Sequence, residues 1–207
     1  MTGDLIRIKL RTANLFLTCQ NGTLLYKFKT MDSCIRGKNI YLKRLTKFDV
    51  TDRYVAWLND SEINQYLESR FVLHDLEETK KFVESVTNDY NYLFGIFTND
   101  SNEHIGNIKV GGINDKHSYA DLGFIIGEKK YWGKGIATEA IRLATDFAFN
   151  TLKLHKVFGG VYAPNIGSIK AFEKNGFIQE GCRKAMYRLN GKFVDGYIYG
   201  KINEKYE

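Results

Sequence analysis

Two glycines stand two residues apart in Tyr131-Trp132-Gly133-Lys134-Gly135-Ile136-Ala137-Thr138, between the apolar run Leu122 to Ile126 and the clearest amphipathic stretch of the chain. A strand that ends in such a turn and opens into a helix presents the first amides of that helix without partners, at the positive end of its dipole. That is a ready site for phosphate. Gly133 and Gly135 let the backbone come close to a ligand, and Lys129, Lys130 and Lys134 add positive charge around them. The chemistry predicted is the binding of a pyrophosphate. The spacing is not that of a P-loop, which needs G-x-x-x-x-G-K-S/T, nor of a Rossmann turn, which would place glycine at Thr138.

The elements that position this turn follow from periodicity. Ile40 to Leu45 alternates as a strand, and Asp49 is the expected N-cap of a helix carrying Val50, Tyr54, Val55 and Leu58 on one face. A second short helix is expected near Ser61. Asp75 should cap a helix reaching Asn88, with Leu76, Phe82, Val83 and Val86 as its apolar stripe. Leu93 to Thr98, Ile105 to Gly111 and Tyr119 to Gly127 are strands joined by Asn/Asp/Ser-rich turns, an antiparallel meander. The helix Gly135 to Leu152 and the strand Lys156 to Ala163 complete a βαβ unit, which makes the strands on either side of that helix parallel. Pro164 ends the strand, Asn165 caps a helix closing at Asn175-Gly176, and Ile178 to Leu189 with Phe193 to Asn203 form a final hairpin around Asn190-Gly191.

Composition limits the function classes. A chain of 207 residues suits one domain, with 43% apolar and 26% charged residues as in an ordinary globular protein. No apolar run approaches the length of a membrane span and no secretion signal is legible, so no membrane partner is expected. The scattered Cys19, Cys34 and Cys182 fit a reduced, cytoplasmic setting. The net charge of +6 invites an anionic partner, but the basic residues form no dense block, which argues against nucleic acid. His74, His104, His117 and His155 show no metal-ligand spacing, so no metal is expected. Residues 1–34 read as an N-terminal extension ahead of a domain at 35–207: either a β-hairpin pairing Leu5 to Leu10 with Leu24 to Phe28 around Asn21-Gly22, or a flexible leader. It could also mediate a homodimer.

The segment Trp132-Gly133-Lys134-Gly135-Ile136-Ala137 resembles the acetyl-coenzyme A signature Q/R-x-x-G-x-G/A of GCN5-related N-acetyltransferases (GNAT), with Trp132 in place of Gln or Arg. Asn165 to Phe177 is similar to the N-x-x-S-x-x-x-x-x-K-x-G-F segment of the branch holding ribosomal-protein N-terminal acetyltransferases and amino-sugar acetyltransferases. Two such motifs in order are far more specific than either alone. The resemblance implies an α/β (α+β) fold: a mixed, mostly antiparallel seven-stranded sheet flanked by helices, with one parallel, splayed strand pair. It implies direct transfer of acetyl from acetyl-coenzyme A, the cosubstrate, to a primary amine. A small acceptor such as an amino sugar, free or nucleotide-linked, is the leading expectation; the α-amine of a protein, or a non-catalytic acyl-coenzyme A sensor, are the alternatives.

The resemblance also implies roles for residues. Main chain at Ile125 and Ile126 would meet the pantetheine arm, while Gly133, Lys134, Gly135, Ala137 and Thr138 would hold the pyrophosphate, with Asn165 and Ser168 beside the cofactor. Trp132 is expected to pack under the loop or touch the cofactor. Asp121 would act as base; because Phe172 falls where many relatives carry a tyrosine, the acid's role shifts to Ser168 or Tyr187, or is absent altogether. Glu68, Arg70 and Asp195 would face the acceptor. Lys170 and Lys174 could reach cofactor phosphates.

Overall fold

The computed structural model describes residues 7–10, 13–20, 23–28, 34–88 and 90–206. The chain divides into two compact units, 1–33 and 34–207. In the first, strands β1 (Arg7–Leu10), β2 (Ala13–Gln20) and β3 (Thr23–Phe28) form an antiparallel sheet in the order β1-β2-β3. The expected hairpin is therefore corrected: the partner of β1 is β2, with Arg7 opposite Phe16, and β3 pairs with the other edge of β2. Leu5, Ile6 and the Asn21-Gly22 turn lie outside the described residues.

The second unit runs β4 (Cys34–Arg36), β5 (Ile40–Arg44), α1 (Asp52–Asn59), α2 (Leu76–Val86), β6 (Tyr92–Thr98), β7 (His104–Asn114), β8 (Tyr119–Ile126), α3 (Ile136–Asp146), β9 (Lys156–Tyr162), α4 (Ile166–Glu173), β10 (Ile178–Leu189) and β11 (Lys192–Ile202). Its strands make one sheet in the order β10-β11-β9-β8-β7-β6-β5-β4, antiparallel throughout except for β8 beside β9. The mixed architecture is the one expected. The eighth strand is β4, too short for its alternation to be read in the letters.

Helices cover both faces, and side-chain alternation shows it. In β5, Ile40 and Leu42 enter a core with Ile141, Leu143 and Ala144 of α3, while Tyr41 enters a second core with Tyr54 and Trp57 of α1 and Val83 of α2. A strand buried on both faces reads as a continuous apolar run, which is how Tyr92 to Thr98 reads.

Four local expectations change. Thr51, not Asp49, caps α1 by accepting from the Tyr54 amide, and Asp49 instead accepts from the Thr46 amide and hydroxyl, each at 2.8 Å. No α-helix forms near Ser61; a short 3-10 turn at Glu68–Phe71 follows instead. Asp75 does cap α2, but Phe82 is 52% exposed and Val83 fills the core, because the helix meets the sheet along a narrower stripe. Helix α3 is regular only to Asp146 and then widens over Phe147–Thr151 before the positive-φ residue Lys153.

Candidate active site

Strands β8 and β9 pair only at Tyr119/Lys156, Ala120/Val157 and Asp121/Phe158. Beyond Asp121 they part, and among the described residues the edge of β8 from Leu122 to Ile126 has no strand on that side. Each strand stays paired on its far side, β9 to β11 as far as Tyr162 and β8 to β7 as far as Ile126, so the two edges that face each other are left free. The opening is a cleft of about 760 Å³ lined by Leu122 to Ile126, the turn before α3, the first turns of α3 and α4, and Tyr162.

The turn is held from beneath. Trp57 donates to Glu128 at 3.1 Å, and a side chain at Gly127 would collide with the Trp57 ring. Glu103 accepts from Lys130 and from the Tyr131 hydroxyl, both at 2.9 Å, and pairs with Arg53 at 3.1 Å. Gly133 and Gly135 take φ of +72° and +78°, and a Cβ on either would meet nothing within 4 Å. Glycine adopts such angles without strain, and no protein atom fills the space beside either one.

Gly135 caps α3 without a side-chain acceptor. Among the described residues the amides of Gly133, Gly135, Ile136, Ala137 and Thr138 have no hydrogen-bond partner; the first helical bond is Glu139 N to Gly135 O at 3.0 Å. Unpaired amides at a helix start, beside an open cleft, suit a phosphate. The lysines contribute less than the letters suggest. Lys129 is bound to Asp60 at 3.0 Å and Glu62 at 2.6 Å, Lys130 to Glu103, and Lys134 lies over the Tyr131 ring outside the cleft lining. Lys170 and Lys174 do line the cleft and have no acidic partner among the described residues.

Trp132 is 40% exposed rather than packed under the turn, and its Nε1 donates to the Ile126 carbonyl at 2.9 Å. Asn165 caps α4 by accepting from the Ser168 amide at 3.2 Å, which sets Ser168 at the cleft wall. Phe172 is 2% exposed and forms the cleft floor. Asn175 bridges the two helices, donating to Thr138 O at 3.0 Å and Ala171 O at 2.8 Å.

The far end of the cleft joins residues distant in the chain. Tyr162 donates to the Glu68 carboxylate, and Arg70 Nη1 donates to the Tyr162 hydroxyl at 2.9 Å. Tyr187 stacks on Tyr162 with ring centroids 4.1 Å apart, and Tyr66 lies 5.8 Å away at a tilt. Burial and the Glu68 carboxylate push the Tyr162 hydroxyl pKa up, against the opposing pull of Arg70. Aromatic faces around a carboxylate make a site for an alkyl ammonium.

Besides Lys134, two expected residues lie elsewhere. Asp121 is not part of the cleft lining; it sits where β8 and β9 still pair, and burial pushes its carboxyl up from the ordinary carboxylate value with Lys109 opposing. Asp195 does not reach the cleft either, because it accepts from Lys184 at 2.8 Å and from the Ala185 amide at 2.9 Å within the β10-β11 hairpin. Tyr66 and Tyr162 escaped the sequence reading; the only available signal was the position of Tyr162 at the end of the strand preceding Asn165. Among the described residues no group of three or more His, Cys, Asp or Glu could hold a metal, and no helix is long and apolar enough to cross a membrane.

Comparison with known proteins gives the same outline. The family description "Acetyltransferase (GNAT) domain" matches residues 39–178. The chain is 32% identical to a probable N-acetyltransferase, YjcK, of Bacillus subtilis, across 82% of this chain and 97% of that protein. A crystal structure of spermidine N-acetyltransferase from Vibrio cholerae in complex with CoA and spermine superposes with a TM-score of 0.74 at 24% identity, covering 82% of this chain and 99% of the other. A structure of RimL, a ribosomal L7/L12 α-N-protein acetyltransferase, in complex with coenzyme A gives 0.72 at 20% identity, over 82% and 97% of the two chains.

Proposed function

The chain belongs to the GNAT acetyltransferase family and is an N-acetyltransferase, and from that premise we propose that it moves acetyl from acetyl-coenzyme A to the primary amine of a small molecule, an amino sugar being the leading class. The observation that supports the proposal is the set of unpartnered amides at Gly133 and from Gly135 to Thr138, opening onto a cleft that ends at Glu68 and Tyr162. Bound there, acetyl-coenzyme A supplies a thioester whose C–S bond breaks as the amine nitrogen bonds to the carbonyl carbon. The amides hold a pyrophosphate, and the free edge of β8 at Ile125 aligns an extended arm.

Glu68 receives the ammonium, flanked by the Tyr66, Tyr162 and Tyr187 rings, and takes the proton that must leave before nitrogen can attack. Ser168 or Tyr187, both in the cleft wall, donates a proton toward the departing sulfur. A thiolate with an ordinary pKa near 8.5 leaves with modest help, so this donor matters less than the base. The cleft offers a polyamine little: of the two carboxylates among its described lining residues, Glu62 is already paired with Lys129.

The test is calorimetric titration with acetyl-coenzyme A, followed by a thiol-release assay over a panel of amines. Micromolar binding and release dependent on an amine are expected. Binding with no release on any amine would instead indicate a sensor.

A further inference from the structure

A second cavity of about 540 Å³ adjoins the acceptor end of the cleft, sharing Gln65 with it. It is lined by Asn59, Asn64, Arg70, Arg188 and Asn190 among others, and among the described residues no carboxylate belongs to its wall. Arg70 stands between the two spaces. Its Nη1 donates to Leu67 O at 2.7 Å and to the Tyr162 hydroxyl, and its Nη2 to Arg188 O at 2.9 Å. Every acceptor is neutral, and among the described residues no carboxylate forms an ion pair with Arg70. The Arg188 side chain has no hydrogen-bond or ion-pair partner among the described residues either.

Charge balance links the two spaces. Glu68 and Arg70 meet only through the Tyr162 hydroxyl, so an ammonium that takes Glu68 leaves a half-buried guanidinium without counter-charge. An uncompensated charge in a partly desolvated site is unfavourable and is relieved by an anion within reach. Guanidinium groups with spare N–H donors suit phosphate and carboxylate, and the surrounding amides suit hydroxyl groups.

We propose that the acceptor is dipolar: its amine binds at Glu68 in the cleft and an anionic group, phosphate or carboxylate, binds at Arg70 and Arg188 in the adjoining cavity. The assignment rests on the acceptor-site reading given under Proposed function. It selects amines bearing an anionic group and disfavours polycations.

The experiment compares kcat/KM for matched amines: glucosamine 6-phosphate with glucosamine, 2-aminoethyl phosphate with ethanolamine, β-alanine with propylamine, and spermidine alone. At least one anion-bearing member should exceed its neutral partner roughly ten- to a hundredfold, the usual worth of charge-assisted hydrogen bonds. Phosphate and carboxylate are told apart by which pair shows the gap. Arg188→Gln, at the exposed hairpin, and Arg70→Lys should each narrow that ratio. Equal or inverted ratios, a preference for spermidine, or ratios unmoved by both variants would overturn the assignment while leaving amine acetylation standing. No turnover of any amine by protein that binds acetyl-coenzyme A would overturn both.

Discussion

The indole nitrogen of Trp132 donates to the carbonyl of Ile126 at 2.9 Å, so the side chain that opens the glycine turn is tied to the last residue of the strand edging the cleft. Trp132→Phe keeps the ring and removes the donor. A neutral hydrogen bond is worth about 1 kcal/mol, so the Kd for acetyl-coenzyme A should rise about fivefold in a calorimetric titration. An unchanged Kd would mean the bond does not shape the turn.

Gly135→Val places a β-branched residue at a φ of +78°. The left-handed conformation costs an L-residue about 1–2 kcal/mol, and the new methyls occupy space that the protein leaves empty for a ligand. Circular dichroism should be native while binding of acetyl-coenzyme A disappears. Native affinity in this variant would remove the amide site from consideration.

The neighbouring glycines of β9 should behave differently from each other. A Cβ at Gly159 would lie 2.7 Å from the Leu122 carbonyl and 2.7 Å from the Phe172 ring, whereas at Gly160 the nearest atom is the Tyr187 hydroxyl at 3.9 Å. Gly159→Ala should therefore lower stability by about 1–3 kcal/mol in urea unfolding, as overpacking does. Gly160→Ala should unfold close to wild type. Equal midpoints for the two would show that β8 and β9 are not clamped at this point.

Asp121 gives a pH dependence with a definite sign. Burial raises its folded pKa above the unfolded value, so the native state binds the proton more tightly. Its contribution to stability is complete below the unfolded pKa and is lost as pH rises through the folded one. Asp121→Asn should raise the Tm at neutral pH, with the gain fading once the wild-type carboxyl is protonated. Turnover should persist, because Asp121 lies outside the cleft lining; its collapse would restore Asp121 as the base.

Glu68→Gln removes the proposed base and ammonium partner but keeps an acceptor for the Tyr162 hydroxyl. Loss of general-base catalysis is worth roughly 10²–10⁴-fold, so kcat/KM for the amine should fall by at least about a hundredfold. The Kd for acetyl-coenzyme A, read at the other end of the cleft, should hold. A weakened cofactor with intact turnover would reverse the assignment.

Much of the architecture around the glycine turn was legible because its determinants are local. The strand-to-helix turn at Gly133 and Gly135, the Asn165 cap and the apolar face of α3 all reside in short windows, where periodicity and backbone chemistry act on near neighbours. The lysines of the turn were misjudged because their partners, Asp60, Glu62 and Glu103, arrive from other elements. Asp195 was misjudged likewise: its carboxylate is claimed by a bulge between β10 and β11, an irregularity that alternation does not announce.

The letters alone determined the order of elements from α2 to β11, the parallel pairing that a crossover helix imposes, and a helix start bare of capping side chains. Only the folded chain decided where β8 and β9 separate and which side chains meet at the end of that gap. Tyr162 is joined to Glu68 and Arg70 across more than ninety positions of sequence, and such a contact depends on sheet twist and helix packing, which no stretch of the chain encodes by itself.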